Sequence, residues 1–158
     1  MRLYFMRHAD ALAGADDAAR PLSPRGWKQA RRIGRFLEEA GVVFDAAYSS
    51  PLVRACETAE AVLNCCGAVA TRQFKKIDAL ANETTQKRFD AWLRALPEAE
   101  HLLLVGHEPT LAERVRSLLG LENEGSLSLP KGAVVCLESE DLRSATLKYF
   151  VTPKLLGA

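Results

Sequence analysis

The stretch Leu102-Leu103-Leu104-Val105-Gly106-His107-Glu108-Pro109 decides the fold class. Its four leading apolar residues run on without alternation. That is the pattern of a central strand covered on both faces, and such strands belong to parallel sheets flanked by helices. Pro109 then opens a helix, with Leu111, Val115, Leu118 and Leu119 at spacings of three and four and Gly120 to stop it. The same succession of strand, polar junction and helix occurs twice earlier. Leu3-Tyr4-Phe5-Met6 runs into Arg7-His8 and a small, polar loop over 9–22. Ser23 then caps a helix with Pro24 at its first position, and Trp27, Ala30, Ile33, Leu37 and Ala40 line one face of it before Gly41 closes it. A strand over about 44–49 meets Ser50-Pro51, read as a second cap. The helix that follows runs to about 64, with Leu52, Ala55, Ala59, Val62 and Leu63 along its inner side.

The remaining signals are a weaker strand near 69–75 and a helix around 84–95 carrying Phe89, Trp92, Leu93 and Leu96. Two strands over about 132–138 and 144–151 follow a loop from Gly125 to Lys131, and the tail after Pro153 reads as loose. Strands alternating with helices at this spacing predict an α/β three-layer sandwich, its mostly parallel central sheet carrying helices on both faces. One domain spanning 1–158 is expected.

Composition narrows the function classes. With 158 residues, 48% of them hydrophobic, the chain is long enough for one sizeable core and short for two. A net charge of +1 argues against a nucleic-acid footprint. The arginines of Arg31-Arg32-Ile33-Gly34-Arg35 alternate with apolar positions and read as a solvated helix face. The apolar run after Met1 ends at Arg7, too short for a signal peptide, and nothing approaches the ~20 apolar residues of a membrane span. A cytoplasmic protein without membrane contact is expected. Cys56, Cys65, Cys66 and Cys136 show no C-x-x-C spacing and read as reduced thiols. With no H-x-H, H-x-x-x-H or Cys/His cluster, no metal and no other cofactor is expected.

The unusual residues sit at strand-to-loop junctions: Arg7-His8, Arg54 and His107. Ligands of open α/β sheets bind beyond the carboxyl ends of the strands, where helix N-termini present free N–H groups. Arg54 falls in the first turn of its helix, where the macrodipole disfavours a cation. A bound anion would relieve that conflict, and a surface pairing with Glu57 is the plainer alternative. His8 and His107 could each be hydrogen-bonded residues merely filling a pocket, but the arginine before His8 and the matched junctions favour a shared anion site. His101 lies at the opposite end of its strand and is given no role. No G-x-S-x-G elbow is present for serine catalysis.

Taken in order and spacing, Arg7-His8, Leu22-Ser23-Pro24-Arg25-Gly26-Trp27-Lys28-Gln29-Ala30, Ser49-Ser50-Pro51-Leu52-Val53-Arg54-Ala55-Cys56-Glu57-Thr58-Ala59 and Val105-Gly106-His107-Glu108-Pro109 resemble the histidine phosphatase superfamily. The short length, the Arg7-His8-Ala9-Asp10-Ala11 start and the Arg20-Pro21-Leu22-Ser23 segment look most like its SixA-type phosphohistidine phosphatases. The resemblance implies a small phosphoglycerate mutase-like sandwich without large insertions. It also implies that Arg7, Arg54 and His107 bind phosphoryl oxygens while His8 takes the phosphoryl group covalently, with no metal. Ala9 stands where the family usually has glycine. The segment Ile77-Asp78-Ala79-Leu80-Ala81-Asn82-Glu83 lacks the family's usual general-acid pattern, leaving Asp78 and Glu83 as candidates for that role. A phosphoramidate needs less acid help than an ester, so the expected substrate is a phosphohistidine-bearing protein of a phosphorelay, met by a monomer. Arg20 would border the mouth and meet that partner, or else pair with Asp16 or Asp17. The alternatives are a phosphatase of small phosphomonoesters and a non-catalytic phosphate-binding module.

Overall fold

Four large apolar side chains in a row, Leu3 to Met6, need cover on two opposite faces. The strand β1 (Arg2–Arg7) finds that cover near the middle of a six-stranded sheet. The structure, a computed structural model, describes residues 1–66 and 73–158. After β1 come α1 (Pro24–Glu39), β2 (Ala46–Ser49), α2 (Val53–Cys66) and the two-residue β3 (Lys75–Lys76). Then follow α3 (Gln86–Arg94), β4 (His101–Gly106), α4 (Thr110–Leu119), β5 (Val134–Glu138) and β6 (Thr146–Val151). The strand order is β3-β2-β4-β1-β5-β6. β3, β2, β4 and β1 run parallel, while β5 pairs antiparallel with both β1 and β6. The expected α/β architecture, mostly parallel with helices on both faces, is what the chain adopts.

Alternation along β1 divides the core. Tyr4 and Met6 join Leu103, Val105 and Cys136 beneath α1 and α2, whereas Leu3 and Phe5 join Leu102, Leu104 and Val135 beneath α3 and α4. Each fully buried leucine or phenylalanine contributes about 1.5–3 kcal/mol, so both layers hold β1 in place. Ser23 caps α1 as expected, its side chain accepting the Gly26 N–H. Gly41, past the end of α1, takes φ +75°, which glycine adopts without steric cost.

Several boundaries differ from expectation. α2 starts at Val53, two residues after the predicted Pro51, because the Ser50 hydroxyl is engaged by His107 at 2.5 Å and makes only a 3.4 Å contact to the Leu52 N–H. Leu52 therefore lies outside the helix and only partly buried. Pro109 is the cap of α4 rather than its first residue, joined to Glu108 by a cis peptide bond. The strand expected near 69–75 is seen as Lys75–Lys76; its earlier part falls largely outside the described residues. The tail is not loose. Pro153–Leu156 forms a 3-10 turn against α1, with the Leu156 carbonyl accepting the Arg32 Nε–H at 2.8 Å. Among the described residues, no helix is long and apolar enough to cross a membrane.

One close approach ties the loop after β1 to α1. A Cβ on Gly26 would stand 1.9 Å from the Asp10 carbonyl oxygen, so the loop rests directly on the helix backbone. Replacing Gly26 with alanine is expected to lower stability by about 1–3 kcal/mol and, because Asp10 follows His8 so closely, to lower activity as well. Urea melts of the variant beside wild type check the first effect.

Candidate active site

Sheet register assembles the site. Arg7 pairs with Gly106, and Ser49 pairs with Val105, so three parallel strands end level. The ladder extends one step further: the His8 N–H donates to the Gly106 carbonyl at 3.0 Å, and the Ser50 N–H donates to the Val105 carbonyl at 3.0 Å. His8, Ser50 and His107 thus leave the sheet side by side at its carboxyl edge. The His8 and His107 ring centroids lie 5.1 Å apart.

His8 is 7% exposed. Its Nδ1 lies 2.8 Å from the Ala9 carbonyl, which can only accept, so Nδ1 carries the proton and Nε2 keeps a free lone pair. Burial lowers its pKa to about 4. The Ala9 hydrogen bond opposes that shift, while the charges of Arg54, Arg7 and Lys131 add to it. The imidazole is therefore neutral at physiological pH. Ala9, in the usual glycine position, is fully buried, and its N–H donates to Thr58 Oγ1 at 3.0 Å. The methyl group is absorbed by the core.

The other three groups share a property. Arg7 donates from one terminal nitrogen to the Leu129 carbonyl at 2.9 Å. Arg54, also 7% exposed, donates to the Asp17 carbonyl at 2.7 Å and to the Asp17 carboxylate at 3.2 Å. His107, 3% exposed, contacts Ser50 Oγ through Nε2, and its pKa is lowered to about 3 by burial first and then by His8, Arg54 and Arg7, with Asp17 opposing. Yet Arg7 Nε, Arg54 Nε and His107 Nδ1 are buried without any hydrogen-bond partner among the described residues. An unsatisfied buried donor costs about 1–3 kcal/mol. Two guanidinium edges and an imidazole nitrogen in this condition fit the oxygens of a tetrahedral anion.

A cavity of about 780 Å³ opens in front of this cluster, with Asp17, Arg54, Asp78, Glu83, Trp92 and His107 on its walls. His8 and Arg7 are not among its lining residues. Asp78 and Glu83 are exposed on the cavity side. Arg20 does not line the cavity: it stands behind Asp17, bonded to that carboxylate at 3.0 Å and to the Leu12 carbonyl at 2.8 Å. The pairing alternative describes its position. Arg54 pairs with Asp17 rather than Glu57, whose carboxylate accepts the Leu22 N–H at 2.6 Å. His101 sits far from the site, within 2.9 Å of the Tyr4 hydroxyl. Asp17 and Ser50 were missed as site residues, since nothing in the loop 9–22 marks one aspartate above another and Ser50 resembles an ordinary helix cap. Among the described residues, no group of three or more His, Cys, Asp or Glu is arranged to hold a metal ion.

Residues 3–76 match the family model of the histidine phosphatase superfamily, branch 1. An uncharacterized protein of Picosynechococcus sp. is 33% identical over 145 residues, covering 88% of this chain and 86% of that protein. Phosphohistidine phosphatase SixA of Escherichia coli is 36% identical over 66 residues, 41% of each chain. A 2,3-bisphosphoglycerate-dependent phosphoglycerate mutase of Rhizobium etli is 46% identical over 44 residues, 28% of this chain and 21% of that one. In fold, the chain matches a solved structure of the protein histidine phosphatase SixA complexed with tungstate, with a TM-score of 0.89 over 99% of both chains at 24% identity. With a relative aligned along most of its length and the Arg7-His8 and Arg54 motifs inside the matched segment, the chain belongs to the histidine phosphatase superfamily, branch 1.

Proposed function

We propose that this protein is a phosphatase that removes the phosphoryl group from a histidine of another protein, a phosphotransfer component of a phosphorelay, through a covalent intermediate on His8. The observation that carries the reading is the set of buried, unpartnered nitrogens of Arg7, Arg54 and His107 beside an imidazole kept neutral by burial. With the Ser50 hydroxyl donating to Nε2, the neutral His107 ring carries its proton on Nδ1 and offers it to the anion. The His8 Nε2 lone pair forms a bond to phosphorus while the bond from phosphorus to the leaving nitrogen breaks. Its electron pair stays with the departing ring, which carries a proton on its other nitrogen and leaves as neutral imidazole. Water then attacks phospho-His8, releasing orthophosphate and returning the electron pair to Nε2. Arg7, Arg54 and His107 stabilise the charge on the equatorial oxygens. The guanidiniums supply the positive charge, so the reaction needs no metal.

Two features support a phosphoramidate over an ester. An alkoxide leaving group requires a proton, and a general acid typically contributes ~10²–10⁴-fold. The carboxyl group bonded into this cluster, Asp17, is held below the usual carboxylate range by Arg20 and then Arg54. It is ionised and has no proton to give. The cavity also bears exposed Asp17, Asp78 and Glu83 along its walls, an open approach suited to a side chain displayed on a folded partner.

Steady-state kinetics with a phosphohistidine-bearing protein against a panel of sugar phosphates is expected to favour the protein by orders of magnitude in kcat/KM, and the reverse order would overturn the substrate assignment. Incubation with substrate should leave an acid-labile phosphoryl label on wild type and none on His8→Ala. Arg54→Ala should lose ~10²–10³-fold in kcat while its urea midpoint stays near that of wild type.

Protonation gives a further check. His8 and His107, with pKa values lowered from 6.5 to about 4 and about 3, bind fewer protons in the folded protein than in the unfolded chain below pH 6.5. Their contribution to stability is therefore complete above about pH 6.5. It declines as the pH falls from there toward 4 and below, with a limiting slope of about 1.4 kcal/mol per pH unit for each ring. Denaturation across pH 4–7 should show this decline, and His8→Ala should flatten it. The kcat/KM for an aryl phosphate should lose activity on the acid side near pH 4, where Nε2 gains a proton.

A further inference from the structure

Asp17 is 66% exposed in its side chain, yet it touches the most buried cation of the site. Its carbonyl and one carboxylate oxygen accept from both terminal nitrogens of Arg54, and its other oxygen accepts from Arg20 at 3.0 Å. The far edge of the Arg54 guanidinium is thereby occupied, and the edge bearing Nε is left unpartnered. His8 does not line the cavity and Asp17 does, so a group that departs from phosphorus through the cavity passes Asp17. The cavity wall there bears Asp16, Asp17, Asp78 and Glu83 against Arg54 and Arg88. Once Arg54 binds phosphoryl oxygen, the departing group meets a surface with an excess of carboxylates.

We infer that Asp17 is a specificity-determining residue that selects the charge of the leaving group, accepting the N–H of a protonated phosphohistidine ring and disfavouring phosphomonoesters. The inference rests on the proposed transfer of a phosphoryl group to His8. A phosphohistidine ring protonated on its far nitrogen is cationic before the P–N bond breaks and neutral after. A carboxylate beside it keeps the proton in place until the electron pair arrives. An ester places growing negative charge on its leaving oxygen at the same point, where the carboxylate repels it. Asp17 is ionised for the reason that fixes its position, the two arginines that hold it.

Asp17→Asn keeps an acceptor for Arg54 and the backbone carbonyl contact but removes the charge. With phosphoimidazole as the probe, kcat/KM is expected to fall roughly two- to fivefold, the scale of one solvent-screened charge pair. With p-nitrophenyl phosphate it should hold or rise. The wild-type preference for phosphoimidazole should also decline as the pH rises past the pKa of the probe's ring, and the variant should show a shallower decline. An equal loss on both probes would make Asp17 only a support for Arg54, and no change on either would remove it from the site; both overturn the inference. If wild type hydrolyses p-nitrophenyl phosphate but not phosphoimidazole, the phosphohistidine reading itself fails, whichever way the variant behaves.

Discussion

The level ending of β1, β2 and β4 is the constraint on which the site depends. Register in a sheet buried on both faces is set by side chains. Sliding β1 by one residue would send Tyr4 and Met6 to the α3/α4 layer and Leu3 and Phe5 to the α1/α2 layer. With both faces packed, that slip would misplace four large side chains at once. The alignment that avoids it also places Arg7 beside Gly106 and carries the ladder on to the His8 N–H. Core packing therefore determines where the His8 imidazole begins, and the Ala9 carbonyl determines which of its nitrogens is free.

Gathering this many positively inclined groups is unfavourable, and the structure limits the cost in two ways. Burial strips the proton from both imidazoles, so the pocket holds two fixed positive charges rather than four. Asp17 then offsets one of them from the solvent side, which also answers the unfavourable placement of Arg54 in the first turn of α2. Among the buried polar atoms left without a partner in the described residues, three belong to this cluster, one Nε on each arginine and Nδ1 of His107, and Glu108 Oε1 stands next in the chain.

The sequence made some of this legible and not the rest, for identifiable reasons. Continuous apolar runs marked β1 and β4, Ser23-Pro24 marked the start of α1, and the Arg-His pair and His107 fell at strand ends because hydrophobic patterning stops there. These are local signals. The start of α2 was misplaced because the Ser50 hydroxyl had a tertiary choice between capping the helix and holding His107, and propensity cannot weigh that choice. The tail was misread because its order comes from Arg32, more than a hundred residues earlier. Asp17 was not singled out for the same reason: its contact with Arg54 joins residues 37 positions apart.

Ala9 shows what kind of phosphoryl cradle this is. In a loop that grips phosphate through backbone amides, a side chain at a close-approach position would obstruct the ligand and an amide turned elsewhere would weaken it. Here the Ala9 N–H is spent on Thr58 and its methyl group lies in the core, so this amide is not among the donors left at the site. Long arginines are floppy unless their far ends are tied down, and each is tied by a segment remote from it in sequence: Arg7 by Leu129 in the loop before β5, Arg54 by Asp17 in the loop after β1. The loops after β1 and before β5 are thus as much a part of the site as the strand ends. A chain without large insertions still builds a rigid pocket, because the tethers come from connections that the sheet requires in any case.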